Sequence, residues 1–405
     1  MTDVGMVFGL RTRWAARPAL LLRLLGATFL LGAGCVQAAT LTIGVISRAD
    51  DERLDPKRVE LAYPGEPGGS LRAGIDVALA ESQFELDVAK LTVKVDAVEV
   101  KSAEEARAQA ARLEKAGAAV AIVDLPSAWT LAAASASRLV VINAGNPADA
   151  LREQDCRVNL FHTLPSERMD ADALAQYLIS RKWQKLLLLT GPTAEDAARL
   201  PAVQASIKRY GLKIVAQRPF KLSADPRERD LANPLLLTGN ADYDAVWIVD
   251  SEHEFARSLP YRTALPRPVV GDGGLLAEAW SARSERFGSP QLSRRFLRAN
   301  QRTMTGIDWA AWQAAKAVLQ AAMASPAAPP AKAMQALTQP DFALDGFKGV
   351  RLSFRPWDRQ LRQPVLLTDG MGVIASAPVE GILHPKNVLD TLGADAPEKL
   401  CKATP

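Results

Sequence analysis

Residues 119–147 read AVAIVDLPSAWTLAAASASRLVVINAGNP. Ala119–Asp124 is a short apolar run with β-branched residues, the pattern of a buried parallel strand. Leu125-Pro126 breaks it, and Ser127 stands where a helix N-cap belongs, ahead of a helix over Ala128–Ser137. Leu139–Ile142 is a second buried strand, and Asn143-Ala144-Gly145-Asn146-Pro147 is a turn. Two strands thus end side by side, one feeding a helix N-terminus and the other a polar loop. Open α/β sheets bind ligands there, beyond the carboxyl ends of the strands. Unpaired amides at Ser127–Trp129 favour an anion. An ordinary cap and an ordinary turn explain the same residues without a ligand, so the rest of the chain has to decide.

Outward from this unit, strand and helix alternate. Upstream lie a strand at Leu41–Ser47 and a long polar segment at Arg48–Ser70. A helix over Leu71–Glu85, a strand at Leu91–Val100 and a surface helix over Ala103–Lys115 follow. Downstream, Asp155–Pro165 is extended and Ser166 opens a helix running to about Lys182. The alternation then restarts: a strand at Lys185–Thr190, a helix over Ala194–Tyr210, and strands at Lys213–Phe220, Asp244–Val249 and Pro268–Gly271. This predicts two parallel, right-handed α/β layers. Asp308–Met323 is the clearest helix, with Trp309 and Trp312 on a packing face. Asp345–Phe354 and Arg362–Ala375 form a hairpin-like pair, and Pro378–Pro405 is loop-like.

With 405 residues, 48% hydrophobic and 23% charged, the chain is long enough for two cores. Its net charge of +4 is concentrated at the start, where residues 1–39 hold four arginines and one acid. The remainder is near neutral, which argues against a nucleic-acid partner. Arg11, Arg13 and Arg17 followed by the apolar stretch Ala19–Ala33 and by Val36-Gln37-Ala38 have the form of an export signal over residues 1–39. That implies an exported product without stable membrane insertion. A lipid-modified Cys35 is the rival form. Removing the signal leaves Cys156 and Cys401, a disulfide candidate in an oxidising compartment.

No G-x-S-x-G, C-x-x-C, P-loop or H-E-x-x-H stretch occurs. His162, His253 and His384 lack metal-ligand spacing. The expectation is therefore no enzyme, no metal and no cofactor. The opposing possibility is an enzyme using Asp250, Glu252 or Asp272 as acid or base.

The order of elements resembles the type I periplasmic binding proteins of the branched-chain amino-acid, leucine-binding-protein-like class. LTIGVIS at 41–47, GIDVALAES at 74–82, LPSAWTLAAASASRLVVINAG at 125–145, NLFHTLPS at 159–166 and GFKGVRLSF at 346–354 carry it. More narrowly, RPFKLSADPRERDLANPLLLTG at 218–239, LPYRTALPRPVVGDGGL at 259–275 and MTGIDWAAW at 304–312 resemble a subgroup of ABC-transporter substrate-binding proteins. That subgroup is associated with quinoprotein (PQQ-dependent) alcohol dehydrogenase systems. The resemblance implies an α/β fold of two Rossmann-like lobes joined by a three-strand hinge. Residues 40–160 and about 275–335 would form the N-terminal lobe, and 161–274 with about 336–405 the C-terminal lobe and tail. It implies a small-molecule ligand and ABC-transporter membrane subunits as partners. A non-transport sensor or dehydrogenase accessory on the same fold is the alternative.

By position, Ser127 with Ala128 and Trp129 matches the family's carboxylate-holding segment. Asn143, Gly145 and Asn146 match the adjoining loop, without its threonine. Asp250, Glu252, His253 and Asp272 match loops that face a ligand amine in amino-acid binders. The first loop, Arg48–Ser70, departs from the family pattern by its length and lack of a Ser-Gly turn.

Overall fold

The computed structural model describes residues 39–55, 68–326 and 328–402. Apart from Ala39, the expected export signal lies outside them, as do Cys35 and the middle of the Arg48–Ser70 segment.

The first layer is a five-stranded, all-parallel sheet in the order β2-β1-β3-β4-β5. Its strands are β1 (Ala39–Arg48), β2 (Leu91–Val100), β3 (Val120–Asp124), β4 (Val140–Asn143) and β5 (Leu160–His162). β3 is central and apolar because helices cover both faces, whereas β2 alternates because it is an edge strand. On one face lie α1 (Leu71–Glu81) and, from far along the chain, α6 (Ser289–Asn300) and α7 (Gly306–Ala324). α1 and α7 approach so closely at Gly74 that a Cβ there would stand 2.3 Å from the Asp308 carbonyl oxygen. On the other face lie α2 (Ala103–Lys115) and α3 (Ser127–Ser135), whose alanines and Leu113 form a second core against the sheet.

The second layer is a four-stranded parallel sheet ordered β7-β6-β8-β9. It comprises β6 (Lys185–Thr190), β7 (Lys213–Pro219), β8 (Ala245–Val249) and β9 (Val269–Gly271). α4 (Glu167–Ser180) and α5 (Ala194–Arg209) share one of its cores. Ser166 caps α4 through a bond from the Met169 amide, and Thr193 with Asp196 forms a capping box on α5.

Three passages join the layers. The first runs from β5 into α4. The second follows β10 (Leu276–Glu278), which leaves the second layer ahead of α6. The third lies between β13 (Leu361–Arg362) and β14 (Val365–Thr368), where Leu361 belongs to the first core and Val365 to the second. The expected hairpin-like pair of Asp345–Phe354 with Arg362–Ala375 holds only at its near end. There β12 (Arg351–Phe354) pairs with β13 through Ser353 and Arg362, and with β11 (Leu344–Asp345) on its other side. The rest is corrected, because β14 pairs with β10 and β15 (Val373–Ala377). Pro364 interrupts the run, and a strand more than 80 residues upstream, β10, supplies the missing partner. Leu344, Leu352 and Phe354, which the sequence reading placed with the C-terminal lobe, pack in the first core.

Trp309 and Trp312 are buried in that core. Trp309 stacks on Trp280 and donates its indole N–H to the Gly346 carbonyl, and Trp312 donates to Glu81. The tail is more structured than its pattern suggests. Its 3-10 turns, Val388–Thr391 and Ala396–Glu398, pack back on the molecule, and Cys401 is disulfide-bonded to Cys156.

Candidate functional site

The carboxyl ends of the two sheets face a common cleft. A cavity of ≈ 290 Å³ is lined from the first layer by Arg48, Asp51, Arg53, Asp124, Ser127 and Asn146, and from the second by Glu167 and Glu195. A neighbouring cavity of ≈ 160 Å³ shares Pro147, Glu167 and Glu195 with it and continues between α4, α5 and β8. Leu174, Val203 and Trp247 give that extension apolar walls, with Asp170, Arg199 and Asp272 among its polar groups. The combination of apolar lining and a few converging polar groups is that of a small-molecule site.

Each polar group has a local reason for its place. Asp124 is the last residue of β3, and Arg53 belongs to the short turn Glu52–Leu54 that follows β1. The Arg53 guanidinium donates to Asp51 and, across 71 residues of chain, to Asp124 Oδ2 at 2.7 Å. Burial works against the charge on Arg53, but the two carboxylates outweigh it and raise its pKa. Burial also pushes Asp124 above the usual carboxylate range, against the pull of Arg53. Glu167 opens α4, where the helix dipole favours its ionised form. Burial, reinforced by Asp149, overrides that and raises its pKa to about 7.

A stability prediction follows from Glu167. A carboxyl whose folded pKa is raised from its ordinary value, 4.5, to about 7 destabilises the fold increasingly as pH rises through that window. Glu167→Gln should therefore leave stability near pH 4.5 almost unchanged. At pH 8 it should raise stability by about 1 kcal/mol, a figure reduced for the group's partial solvation. Urea midpoints at both pH values test this. A variant less stable than the wild type at pH 8 would refute the assignment.

Ser127 is not the cap of its helix. Pro126 holds that position without a side-chain bond, Ser127 is the first helical residue, and Ser127 Oγ accepts from Asn146 Nδ2 at 3.2 Å. Trp129 packs against the core beneath α3, and its amide donates to the Pro126 carbonyl. This narrows the expected amide seat to Ser127 and Ala128. Asn143 is fully buried and shapes the loop from within: its Oδ1 accepts the amides of Gly145 and Asn146, and its Nδ2 donates to the Asn146 carbonyl. Gly145 is required because a Cβ there would lie 1.8 Å from Asp124 Oδ1. Buried Arg152 holds the same loop, donating to the carbonyls of Asn146, Ala148 and Leu164 and to Gln360, just ahead of β13.

On the second layer, Asp272 lines the smaller cavity, with Oδ1 accepting from Arg199 at 2.7 Å and Oδ2 from the Asp250 amide. Asp250 is buried, and its carboxylate accepts the amide of Ala256 at the start of the short helix Glu254–Ser258. Glu252 and His253 are exposed, and His253 has a left-handed backbone with Nδ1 3.1 Å from the Asp272 carbonyl oxygen. The structure therefore gives Asp250 and His253 loop-shaping contacts instead of a position on either cavity wall, and leaves Glu252 in solvent.

Sequence reasoning missed Arg53, Asp124, Glu167, Glu195 and Arg199. The available signal was position. Asp124 ends a buried strand, and Glu167 and Glu195 occupy the first turns of helices that follow strands. Among the described residues, no group of three or more His, Cys, Asp and Glu side chains is placed to hold a metal ion. No described helix is long and apolar enough to cross a membrane.

Comparison with known proteins adds a fold and a family match. Residues 65–260 match the family described as periplasmic binding protein. No curated protein sequence matches the chain. A periplasmic binding protein from Burkholderia mallei superposes with a TM-score of 0.64 at 15% identity, covering 91% of this chain and all of that one. A solute-binding protein of an ABC transporter from R. palustris, solved with benzoate, gives 0.59 at 14% identity and covers 84% of this chain and 98% of its own. A substrate-binding protein from Desulfitobacterium hafniense, solved with Leu, gives 0.62 at 16% identity, covering 82% and 98%. The fold is that of the type I periplasmic binding proteins.

Proposed function

We propose that this protein is a periplasmic solute-binding subunit of an ABC transporter, closing its two lobes over a small molecule. The observation that carries the reading is the paired cavity at the carboxyl ends of both parallel sheets, lined from both layers and bordered by Pro147. Three chain passages allow such lobes to swing about a hinge. The role is binding, not catalysis, and the ligand enters from solvent without a cofactor. The long stretches at 218–239, 259–275 and 304–312 further support a link to quinoprotein-dependent alcohol catabolism.

A thermal-shift screen of the exported protein against alcohols, the matching acids, amines and amino acids tests the reading. A ligand at one hundred times its dissociation constant should stabilise the fold by about 2.7 kcal/mol, a readily measured rise in melting temperature. Small-angle scattering should show the particle contract with the same solute. A hit that stabilises without any contraction would argue against lobe closure, and a screen without hits would argue against solute binding altogether.

A further inference from the structure

We infer that Asp124 sets the charge selectivity of this cleft, occupying the first lobe's anion seat and favouring a protonated amine over a carboxylate. The inference rests on the solute-binding reading and concerns the same cavity.

The case is an inventory of donors. A carboxylate needs N–H and O–H groups pointing at it. In the loop after β4, the amides of Gly145 and Asn146 already donate to Asn143 Oδ1, and Asn146 Nδ2 donates to the Leu125 carbonyl and Ser127 Oγ. The Trp129 amide donates to Pro126. The Arg53 guanidinium is shared between Asp51 and Asp124. What remains on this wall is the amides of Ser127 and Ala128, one hydroxyl proton and, at the rim, Arg48, which lies 3.8 Å from Glu52.

Beside them stands a carboxylate that belongs to the protein. Asp124 is pressed so closely on Gly145 that the loop has no room for a Cβ, and its side chain is only 12% exposed. Across the cavity, Glu167 and Glu195 accept no side-chain hydrogen bond among the described residues. The wall thus holds four acids, Asp51, Asp124, Glu167 and Glu195, against two arginines, Arg48 and Arg53. An incoming carboxylate meets the Asp124 carboxyl group, already paired with Arg53, where its donors should be, and discrimination by an unfavourable element is as effective as by an attractive one. An ammonium instead finds acceptors on both lobes, Asp124 beside Arg53 on one and Glu167 with Glu195 on the other.

Benzylamine, benzyl alcohol and benzoate share a phenyl ring with a one-carbon head group that is cationic, neutral and anionic in turn, so calorimetric titration with these three, read as a ratio between wild type and variant, reports the charge selectivity. The wild type should bind benzylamine at least about tenfold more tightly than benzoate, with the alcohol between. Asp124→Asn keeps the shape and removes the charge, and it should shift that ratio toward benzoate by about tenfold. Asp124→Ala serves the same purpose should the amide pair badly with Arg53, with circular dichroism confirming the fold of each. Benzoate binding to the wild type as tightly as benzylamine, or a ratio unmoved in both variants, overturns the inference while the solute-binding reading stands. If none of the three binds, the head group of the hit from the solute screen decides: an amine supports the inference and a carboxylate overturns it. A screen that returns nothing removes the solute-binding reading and this inference together.

Discussion

Replacing Arg355 by Met should destabilise the protein by about 3–5 kcal/mol, the range seen when one partner of a buried ion pair is removed. Arg355 is 1% exposed and lies just beyond β12. Its guanidinium donates to Asp390 at 3.1 Å and to the carbonyls of Leu389 and Leu392, and sits 3.5 Å from Asp358. Met restores the aliphatic volume but none of these donors. Two carboxylates and three tail carbonyls, that of Ala394 included, would lose this donor in a place water does not reach, although Arg362 still bonds Asp390. The loss exceeds what any exposed pair here could produce, because the groups of an exposed pair stay solvated in the folded protein and water replaces a lost partner. Denaturant unfolding measures it. A cost under 1 kcal/mol would mean that the tail does not depend on this contact.

The second large effect is expected at the tail's far end. Cys401→Ser removes a crosslink that closes 245 residues of chain. Removing so long a loop constraint should cost about 2–4 kcal/mol, largely through the freedom regained by the unfolded chain. The tail would keep its other ties. Gly393 exchanges hydrogen bonds with Asp172 and Arg209, and Arg168 on α4 pairs with Glu398 at 2.8 Å. The variant should thus unfold at lower denaturant yet retain its fold. The segment after Glu398 should become the first site of proteolysis, because its anchor is gone. A denaturation midpoint identical to that of the oxidised wild type would refute this.

The tail also illustrates why sequence reading stopped where it did. Residues 378–402 have no 2.0 or 3.6 periodicity, because their order comes from single contacts with remote partners. Arg355, Asp172 and Cys156 lie 34, 221 and 245 residues from Leu389, Gly393 and Cys401, the tail residues they hold. By contrast, β3 and β6 were legible to within a residue, since a strand buried on both faces must be continuously apolar. Capping residues placed the start of α4 equally well, through Ser166. At Ser127 the same rule failed: Pro126 terminates the strand and takes the cap position, so the serine moves one residue into the helix and its hydroxyl turns to Asn146.

The candidate site divides along the same line. Sequence alone determined that two parallel α/β layers follow one another, and that a polar loop and a helix start meet at the ends of β3 and β4. Local periodicity and turn chemistry are short-range properties and are written in neighbouring residues. Which polar side chains reach the cleft was decided only by the tertiary structure. Asn143, Asn146 and Asp250 have the composition of ligand residues, but their hydrogen-bonding groups are turned inward to hold loop backbone that burial would otherwise leave unpaired. Arg53 and Asp124 meet across 71 residues, and Glu167 and Glu195 come from helices of the other layer. No spacing rule connects such positions, because what brings them together is the packing of two separate cores and the chain's three passages between them.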